Sequence, residues 1–383
     1  MDIFLRNAGP IQRADISLGD LTILVGPQAS GKSIYLQFCK LAIDSGAIVK
    51  TLRNFGYQWS RSPETFLLSY FGEGMNKLFK ADTELLVDGH SFDLENRIRR
   101  VGFGNEKVLF IPAQRVLTIA DEWPRPFGSY PPGYPYVFKA FSEWIRVLMD
   151  SLSQNQGEDV FPKKNNFKKA IRESLSHSIF REASIKMDRG LKRRMLMHVH
   201  DTELPLMSWS AGQKEFVLLL LALQWLSPGS RTPKKKGIEF VVIEEPEMGL
   251  HPSAIRSVFL SIAELVHRGY RVVLSTHSSS ILELAWVFME MKSVDQKFEK
   301  EKIDLLLELF ELPSNLQTKD LLKSLIEKSI RSYFFHQSDN GVQALDISSL
   351  NPEQGASSDS GWGGLLEFSS KANQIVSNLW GLK

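Results

Sequence analysis

The chain has 383 residues, and its 46 Lys and Arg almost balance its 44 Asp and Glu, which leaves a formal net charge of +2. This balance excludes a chain-wide commitment to nucleic acid or to an anionic membrane. The longest apolar run, residues 216–223, is far shorter than a membrane span. The single cysteine, Cys39, excludes an intramolecular disulfide, and the first residues lack a secretory signal. We therefore expect a cytoplasmic protein with no membrane segment.

The first motif is a phosphate-binding loop between a predicted strand and a predicted helix. The apolar run Leu21–Val25 leads into a G-x-x-x-x-G-K-S sequence, whose residues are Gly26, Pro27, Gln28, Ala29, Ser30, Gly31, Lys32 and Ser33. In such a loop successive backbone N–H groups point at a phosphate, and the following helix adds its positive end. The pattern predicts that Lys32 contacts the β- and γ-phosphates and that the Ser33 hydroxyl binds Mg²⁺.

A segment rich in proline and aromatic residues, Trp123–Tyr136, lies further along the chain. Its prolines exclude regular structure, and the next residues, 138–152, have the spacing of an amphipathic helix. Two interpretations stay open. The loop is either a rigid surface for protein contacts, for which Tyr and Trp are well suited, or a loop packed on its own domain.

Residues 162–194 form the one strongly basic segment of the chain. Eleven Lys and Arg stand there against three acidic residues. Such a segment binds phosphates if its charges share one face, so DNA or another anionic partner is one interpretation. The apolar positions Phe167, Ile171 and Leu175 are interleaved with the charges, which favours the alternative of a solvated face on a helix that packs against a core.

A buried helix is predicted after Met207-Ser208-Trp209-Ser210-Ala211-Gly212-Gln213, because residues 216–223 are continuously apolar. Ser210 and the backbone at Gly212 then lie at a helix N-terminus. A helix N-terminus attracts anions through its unpaired N–H groups and its dipole. The sequence therefore predicts a second anion-binding position here.

An acidic strand end follows at residues 240–247, which read Phe-Val-Val-Ile-Glu-Glu-Pro-Glu. A buried parallel strand that ends in carboxylates is how a Walker B motif brings charge to Mg²⁺. This interpretation makes Glu244 the metal ligand, through water, and Glu245 the general base for an attacking water. The alternative is a solvated acidic turn, which the upstream phosphate loop disfavours.

A third apolar run, Arg271–Leu274, ends in Ser275, Thr276 and His277. Ligands of open α/β sheets bind at the carboxyl ends of strands. At this distance after the acidic strand, His277 fits a switch histidine that contacts the γ-phosphate. The alternative is a histidine with a structural hydrogen bond.

The 106 residues after His277 show helical spacing on both sides of Pro313, which predicts a helical hairpin that includes Ile330 and Phe334. Residues 337–364 have the composition of a loose segment, and residues 365–380 that of a short helix. No acidic cluster in this region resembles a second, metal-dependent active site.

The order of these motifs resembles that of the ATP-binding-cassette (ABC) ATPases. The opening residues are similar to the soluble branch of that family, which includes the structural-maintenance-of-chromosomes (SMC), recombination-repair and overcoming-lysogenization-defect (OLD) ATPases. Two segments, Ile111–Arg115 and Ile243–Pro252, look most like OLD-type anti-phage defence ATPases, including the ATPase partner of PARIS-like systems.

The resemblance implies an α/β fold, a P-loop NTPase of ABC-ATPase type with a mostly helical insertion and a helical C-terminal tail. It implies ATP and Mg²⁺ as ligands, Glu245 and His277 as catalytic residues, and a homodimer or higher even oligomer. In that assembly Ser210 and Gly212 of one protomer complete the ATP site of the other. Gln114 falls where a magnesium-sensing glutamine stands, although a plain turn glutamine is an equal alternative.

Three positions depart from the family pattern. Gln28-Ala29 replaces Asn-Gly, Ala211 replaces a signature glycine, and Glu244 replaces the Walker B aspartate. The last replacement is usual in OLD-like proteins. The first two bear on the rate of hydrolysis more than on ATP binding.

The motifs predict four regions. Residues 1–120 hold the first half of the ATPase domain and 121–204 an insertion, because the distance from Lys32 to Ser210 exceeds what one crossover helix needs. Residues 205–285 hold the second half, and 286–383 a helical region. Two functions remain open: an ATPase that senses a signal and regulates a separate effector in defence against phage, and a repair or recombination ATPase that clamps DNA through residues 162–194.

Overall fold

The computed structural model describes residues 1–59, 62–100, 102–154, 159–163, 166–188, 193–229 and 234–349. The strands are β1 (Asp2–Ala8), β2 (Ile11–Ser17), β3 (Leu21–Val25), β4 (Phe79–Val87), β5 (His90–Ser91), β6 (Val108–Ile111), β7 (Ile119–Ala120), β8 (Trp123–Pro124), β9 (Asp159–Phe161), β10 (Ser184–Met187), β11 (Met195–Val199), β12 (Thr202–Pro205), β13 (Phe240–Glu244), β14 (Arg271–Thr276), β15 (Ile330–Ser338) and β16 (Gly341–Asp346). The helices are α1 (Lys32–Asn54), α2 (Pro63–Phe71), α3 (Leu94–Arg99), α4 (Tyr136–Gln154), α5 (Lys169–Leu175), α6 (Ala211–Leu226), α7 (Pro252–His267), α8 (Ser279–Ser293), α9 (Glu299–Leu309) and α10 (Leu316–Glu327).

A sheet of ten strands forms the centre of the described chain, in the order β5-β4-β1-β2-β16-β15-β3-β14-β13-β6. The half that runs from β15 to β6 is entirely parallel. The other half contains the antiparallel pairs of β1 with β2 and β4. The predicted α/β fold is therefore present, with the predicted phosphate-loop strand β3 near the middle of the sheet.

Both faces of the parallel half are covered. Along β3, Leu21, Ile23 and Val25 pack into one apolar cluster with α6 and α7, while Leu24 packs into a second cluster with α1. All five residues of β3 and all five of β13 are buried. Continuous apolar strands of this kind are expected where helices lie on both faces of a parallel sheet.

A buried ionic network fixes the start of β6 against α1. The Lys40 ammonium donates to Asp44 Oδ2 at 2.7 Å, to Glu106 Oε2 at 2.7 Å and to the Val108 carbonyl at 2.6 Å. Asp44 in turn accepts from the backbone N–H groups of Lys107 and Val108 at 2.8 and 3.0 Å. This network anchors the strand that leads to Gln114.

The C-terminal region differs from the helical region that the sequence predicts. The helices α9 and α10 are present, but Ile330–Ser338 is a strand that pairs in parallel with β3, and Gly341–Asp346 follows as a second strand. Tyr333, Phe334 and Phe335 are buried consecutively because helices cover both faces of the sheet. A short apolar run of this type cannot be told from a buried helix by its spacing. The helix predicted at 365–380 lies outside the described residues.

The insertion contains the predicted helix over 138–152, observed as α4, and a small sheet that the sequence did not reveal. The antiparallel strands β9 to β12 form this sheet in the order β12-β11-β10-β9. Its strands have three to five residues each, which is too short for a clear alternating pattern. The basic segment therefore lies on α5 and on this sheet and not on one helix.

The aromatic segment Trp123–Tyr136 packs on its own domain, the second of the two interpretations left open. Phe127, Tyr130 and Tyr136 are 1%, 4% and 0% exposed. The Phe127 ring stacks on Phe55 with centroids 4.2 Å apart.

In the described part of the chain, no helix is both long and apolar enough to cross a membrane.

Candidate functional site

The four motif-bearing strands end at one edge of the sheet. Strands β3, β14, β13 and β6 are neighbours and run parallel. Their carboxyl ends lead to Gly26, His277, Glu245 and Gln114 respectively. An open α/β sheet binds its ligands at this edge. The structure therefore brings these predicted residues together.

The two glycines of the phosphate loop are required by the backbone. Gly26 has φ of +148°, and a Cβ there would lie 2.8 Å from the Phe335 carbonyl oxygen of β15. Gly31 has φ of +86°, and a Cβ there would lie 2.9 Å from the Ile11 side chain. A larger residue at either position would clash as well as strain the chain. Pro27, Gln28 and Ala29 form the exposed rim of the loop.

Lys32 begins α1, and its ammonium is turned onto its own loop. It donates to the carbonyls of Gly26 at 2.8 Å and Pro27 at 2.7 Å, and it lies 3.3 Å from Ser30 Oγ. Burial lowers the pKa of Lys32 to about 8, while Glu245 and Glu247 oppose the shift. These neutral carbonyls are weaker partners than phosphate oxygens, so the ammonium is available for an anion placed in the loop.

Glu244 and Ser33 lie together at the end of β13. Burial raises the pKa of Glu244, and the Ser33 side chain and the Ala113 N–H oppose this by their hydrogen bonds. The Ala113 N–H donates to Oε2 at 3.1 Å, whereas Oε1 is buried without a partner among the described residues. An orphaned carboxylate oxygen beside an exposed serine hydroxyl fits Mg²⁺, which favours oxygen ligands and retains several waters.

Glu245, His277 and Glu247 form a polar group next to that pair. His277 Nε2 is 3.4 Å from Glu245 Oε1, and both side chains are 31% exposed. Glu247 Oε1 accepts from Thr276 Oγ1 at 2.5 Å and from the His277 N–H at 2.9 Å. Glu247 thus fixes the backbone at His277. No function was predicted for Glu247 from the sequence. Its position shortly after Glu244 and Glu245 was the signal that could have indicated one.

Gln114 stands at the rim of the site. It has φ of +48°, and its side chain is exposed. Its carbonyl accepts from Leu117 N–H at 3.0 Å, which begins the turn Arg115–Thr118. The turn function of Gln114 is therefore visible, and its proposed magnesium contact stays a prediction.

Ser210 and Gly212 lie at the start of α6, as predicted. Ser210 Oγ accepts from the Gln213 N–H at 3.3 Å, and Gln213 Oε1 accepts from the Ser210 N–H at 3.1 Å, which makes a capping box. Gly212 packs against the loop after β13, since a Cβ there would lie 2.1 Å from the Gly249 carbonyl oxygen. This contact joins the turn at Ser210–Gly212, called the signature turn below, to the loop that follows Glu245.

The basic segment 162–194 does not form one unpaired face in the described chain. Its ion pairs are Lys168 with Glu264, Lys169 with Glu173 at 3.5 Å, Lys186 with Asp159 at 3.8 Å, Arg193 with Asp150 at 3.1 Å, and Arg194 with Asp188 at 2.8 Å. Lys164, Arg189 and Lys192 lie outside the described residues. The local acidic partners reduce the field that a phosphate backbone would meet.

The parallel sheet, the glycine loop and the acidic strand end have the arrangement of a P-loop nucleotide-binding domain. The chain belongs to the family described as "AAA domain, putative AbiEii toxin, Type IV TA system", which matches residues 21–283.

One curated relative and two solved structures are also similar to this chain. The Old nuclease of Escherichia phage P2 is 52% identical over 48 residues, which is 12% of this chain and 8% of that protein. The chain therefore matches only a small part of this relative. An SMC head bound to the C-winged helix domain of ScpA has a TM-score of 0.43 and 10% identity, over 90% of this chain and 96% of its own. The SMC head domain of Thermotoga maritima has a TM-score of 0.36 and 11% identity, over 90% and 98%.

Proposed function

We propose that this chain hydrolyses ATP between two protomers and thereby regulates a separate effector protein, in defence against phage. The observation that carries the proposal is the convergence of Lys32, Glu244, Glu245 and His277 at one edge of the sheet. Each of these groups has a distinct use in phosphoryl transfer, which depends on positioning and on charge stabilisation.

Lys32 and the loop N–H groups bind the phosphates in this proposal. The ammonium leaves the Gly26 and Pro27 carbonyls and donates to phosphate oxygens, which form stronger, charge-assisted hydrogen bonds. Ser33 and Glu244 would hold Mg²⁺, with Glu244 acting through water, and the buried Oε1 without a partner is the oxygen available for this. When bound, the metal neutralises charge that develops on the phosphates.

Glu245 accepts the proton of the attacking water. His277 Nε2 lies 3.4 Å from Glu245 Oε1 and orients that carboxylate. In this proposal the same histidine also contacts the γ-phosphate. Glu247 fixes the His277 backbone through the 2.9 Å hydrogen bond, so the histidine approaches the site in one orientation. Ser210 and the Gly212 N–H supply anion contacts to the ATP of a second protomer.

Control of a separate effector rests on two supports. The first is that, within the described chain, the acidic and basic groups at the sheet edge all have a use in binding ATP and Mg²⁺, so action on a macromolecule is left to another protein. The second comes from the comparisons. The matched family carries a toxin–antitoxin description, and the similar Old nuclease comes from a phage. Regulation requires that the effector bind the open and closed states with different affinities, and a tenfold difference corresponds to about 1.4 kcal/mol.

The test is to co-express the chain with the product of the neighbouring gene and to measure their association in ATP, in ADP and with Glu245→Gln. We expect association to change at least about tenfold between ATP and ADP states. Equal association in every state would contradict regulation by ATP. The absence of association in every state would contradict the proposal that this chain regulates a separate effector.

Direct DNA clamping is the competing outcome. It predicts that duplex DNA stimulates turnover of the isolated chain and that affinity falls with salt, with a log–log slope of about −0.9 per phosphate contacted. Reversal of Arg193 and Arg194 to Glu would then weaken binding to all sequences alike. We expect no DNA-stimulated turnover, because these side chains already pair with Asp150 and Asp188.

A further inference from the structure

Arg115 is a completely buried arginine, 0% exposed, directly after Gln114. Its guanidinium donates to backbone carbonyls on three separate segments. Nε donates to Glu215 at 3.1 Å, Nη1 to Pro112 at 3.1 Å and to Glu244 at 2.9 Å, and Nη2 lies 3.3 Å from the carbonyl oxygen of Glu245. One rigid, planar group thus connects the loop after β6, the end of β13 and the N-terminal part of α6.

The contacts at Glu244 and Glu245 bear directly on the proposed general base. Glu245 has φ of +44°, a left-handed conformation that L-residues rarely adopt. Arg115 holds the carbonyls on both sides of the Glu245 N–Cα unit, while the Glu245 N–H donates to the Ser275 carbonyl at 2.9 Å. These bonds fix the direction in which the Glu245 side chain leaves the backbone.

The contacts at α6 bear on the signature turn. Besides its carbonyl, Glu215 places Oε2 3.8 Å from Arg115 Nε, and this oxygen accepts from the Val116 N–H at 3.3 Å. The other side of the same turn packs through Gly212 on Gly249. The N-terminal part of α6 is therefore joined to both ends of the loop that carries Glu245.

Packing alone does not explain a cation at this position. Burial lowers the pKa of Arg115, and the nearby carboxylates, led by Glu215, oppose the shift. An apolar side chain of similar volume is often neutral or stabilising where it replaces a buried ion pair. The fork of N–H donors is what an apolar residue cannot supply.

We propose that Arg115 is a positioning residue that couples the signature turn to Glu245. When Ser210 and Gly212 meet the ATP of a second protomer, the displacement of α6 is transmitted through Arg115 to the Glu244–Glu245 backbone, and the base becomes aligned for hydrolysis. The inference rests on the proposed function, because it needs hydrolysis at a site shared by two protomers.

The test compares Arg115→Met and Arg115→Lys with Lys139→Met. Lys139 is a second fully buried cation, 0% exposed, and its ammonium contacts Tyr57 and Phe127 instead of the nucleotide loops. For each protein we measure the fraction folded, ATP affinity, and kcat and KM per folded molecule.

We expect Arg115→Met to keep ATP affinity within about threefold and to lose kcat on the order of hundredfold, since a misplacement of about 1 Å has that cost. The kcat of Arg115→Lys should be only slightly higher than that of Arg115→Met, because one ammonium cannot reach carbonyls on three segments. Lys139→Met keeps the wild-type kcat. In a Glu245→Gln background, Arg115→Met still dimerises with ATP, which separates alignment of the base from closure of the dimer.

Wild-type kcat in Arg115→Met would overturn the proposal, as would equal fractional losses of folded protein, ATP affinity and kcat. If Arg115→Met does not fold, Arg115→Lys and Glu215→Gln carry the same comparison, and wild-type kcat in both overturns the coupling. Full activity of Glu245→Gln would instead contradict the proposed function, so the two failures are distinguishable.

Discussion

At the scale of single residues, the site was predictable wherever its chemistry is local in the sequence. Lys32 and Ser33 follow a glycine loop, and Glu244 and Glu245 end an apolar strand, so residue type and spacing carry the information. Arg115 was not predictable. Its partners lie up to 130 positions away, and only the fold brings them within hydrogen-bond distance.

Glu245→Gln should retain ATP binding and lose turnover on the order of hundredfold or more, because the amide cannot accept the proton of the attacking water. Steady-state phosphate release and equilibrium ATP binding measure the two properties. Glu239→Gln is the matched control, since Glu239 precedes the same strand and pairs at the surface with Lys107 at 3.0 Å. Wild-type turnover in Glu245→Gln would remove Glu245 from the mechanism.

ATP affinity should depend on the protonation of Lys32. Burial lowers the pKa of this residue to about 8 in the free protein, and phosphate oxygens favour its charged form. Affinity is therefore constant below pH 8 and falls above it, by up to about tenfold per pH unit, until the pKa of the complex is reached. Lys32→Arg stays charged and should lose this dependence if it binds. An affinity of the wild type that does not change up to about pH 9.5 would contradict the assignment.

At the scale of secondary-structure elements, the errors have one physical origin. The strand β15 is buried on both faces, so its apolar residues show no alternation, and helical spacing fitted them equally well. The short strands of the insertion carry charged residues such as Lys186 and are recognisable only through their pairing. By contrast, α4 and α6 are long, and their apolar patterns identified them correctly.

The junction between α6 and the loop after β13 gives an element-scale prediction. Gly212→Ala should keep ATP binding and lower turnover at least about tenfold, because the new Cβ would lie 2.1 Å from the Gly249 carbonyl oxygen and must displace the signature turn. Gly128→Ala is the control, since its Cβ would lie 3.8 Å from the Phe55 ring. Unchanged turnover in Gly212→Ala would show that the signature turn tolerates displacement.

At the scale of the whole molecule, the strands of the ten-stranded sheet come from both ends of the described chain. The strand β3 carries the phosphate loop and lies between β14 and β15, and Gly26 packs on the Phe335 backbone. Residues beyond the matched family region thus support the predicted phosphate loop. The sequence indicated an ATPase framework with an insertion but not this C-terminal contribution to its sheet.

The most direct test of shared sites is a mixture of Lys32→Ala with Ser210→Ala, each inactive alone. In a shared-site dimer, every mixed dimer has one intact site and one site with both defects. With complete subunit exchange, half of the dimers are mixed, so turnover should recover to about a quarter of the wild-type value. Exchange is confirmed by two different affinity tags. Turnover that stays at the mean of the two parent variants after confirmed exchange would contradict a site shared between protomers.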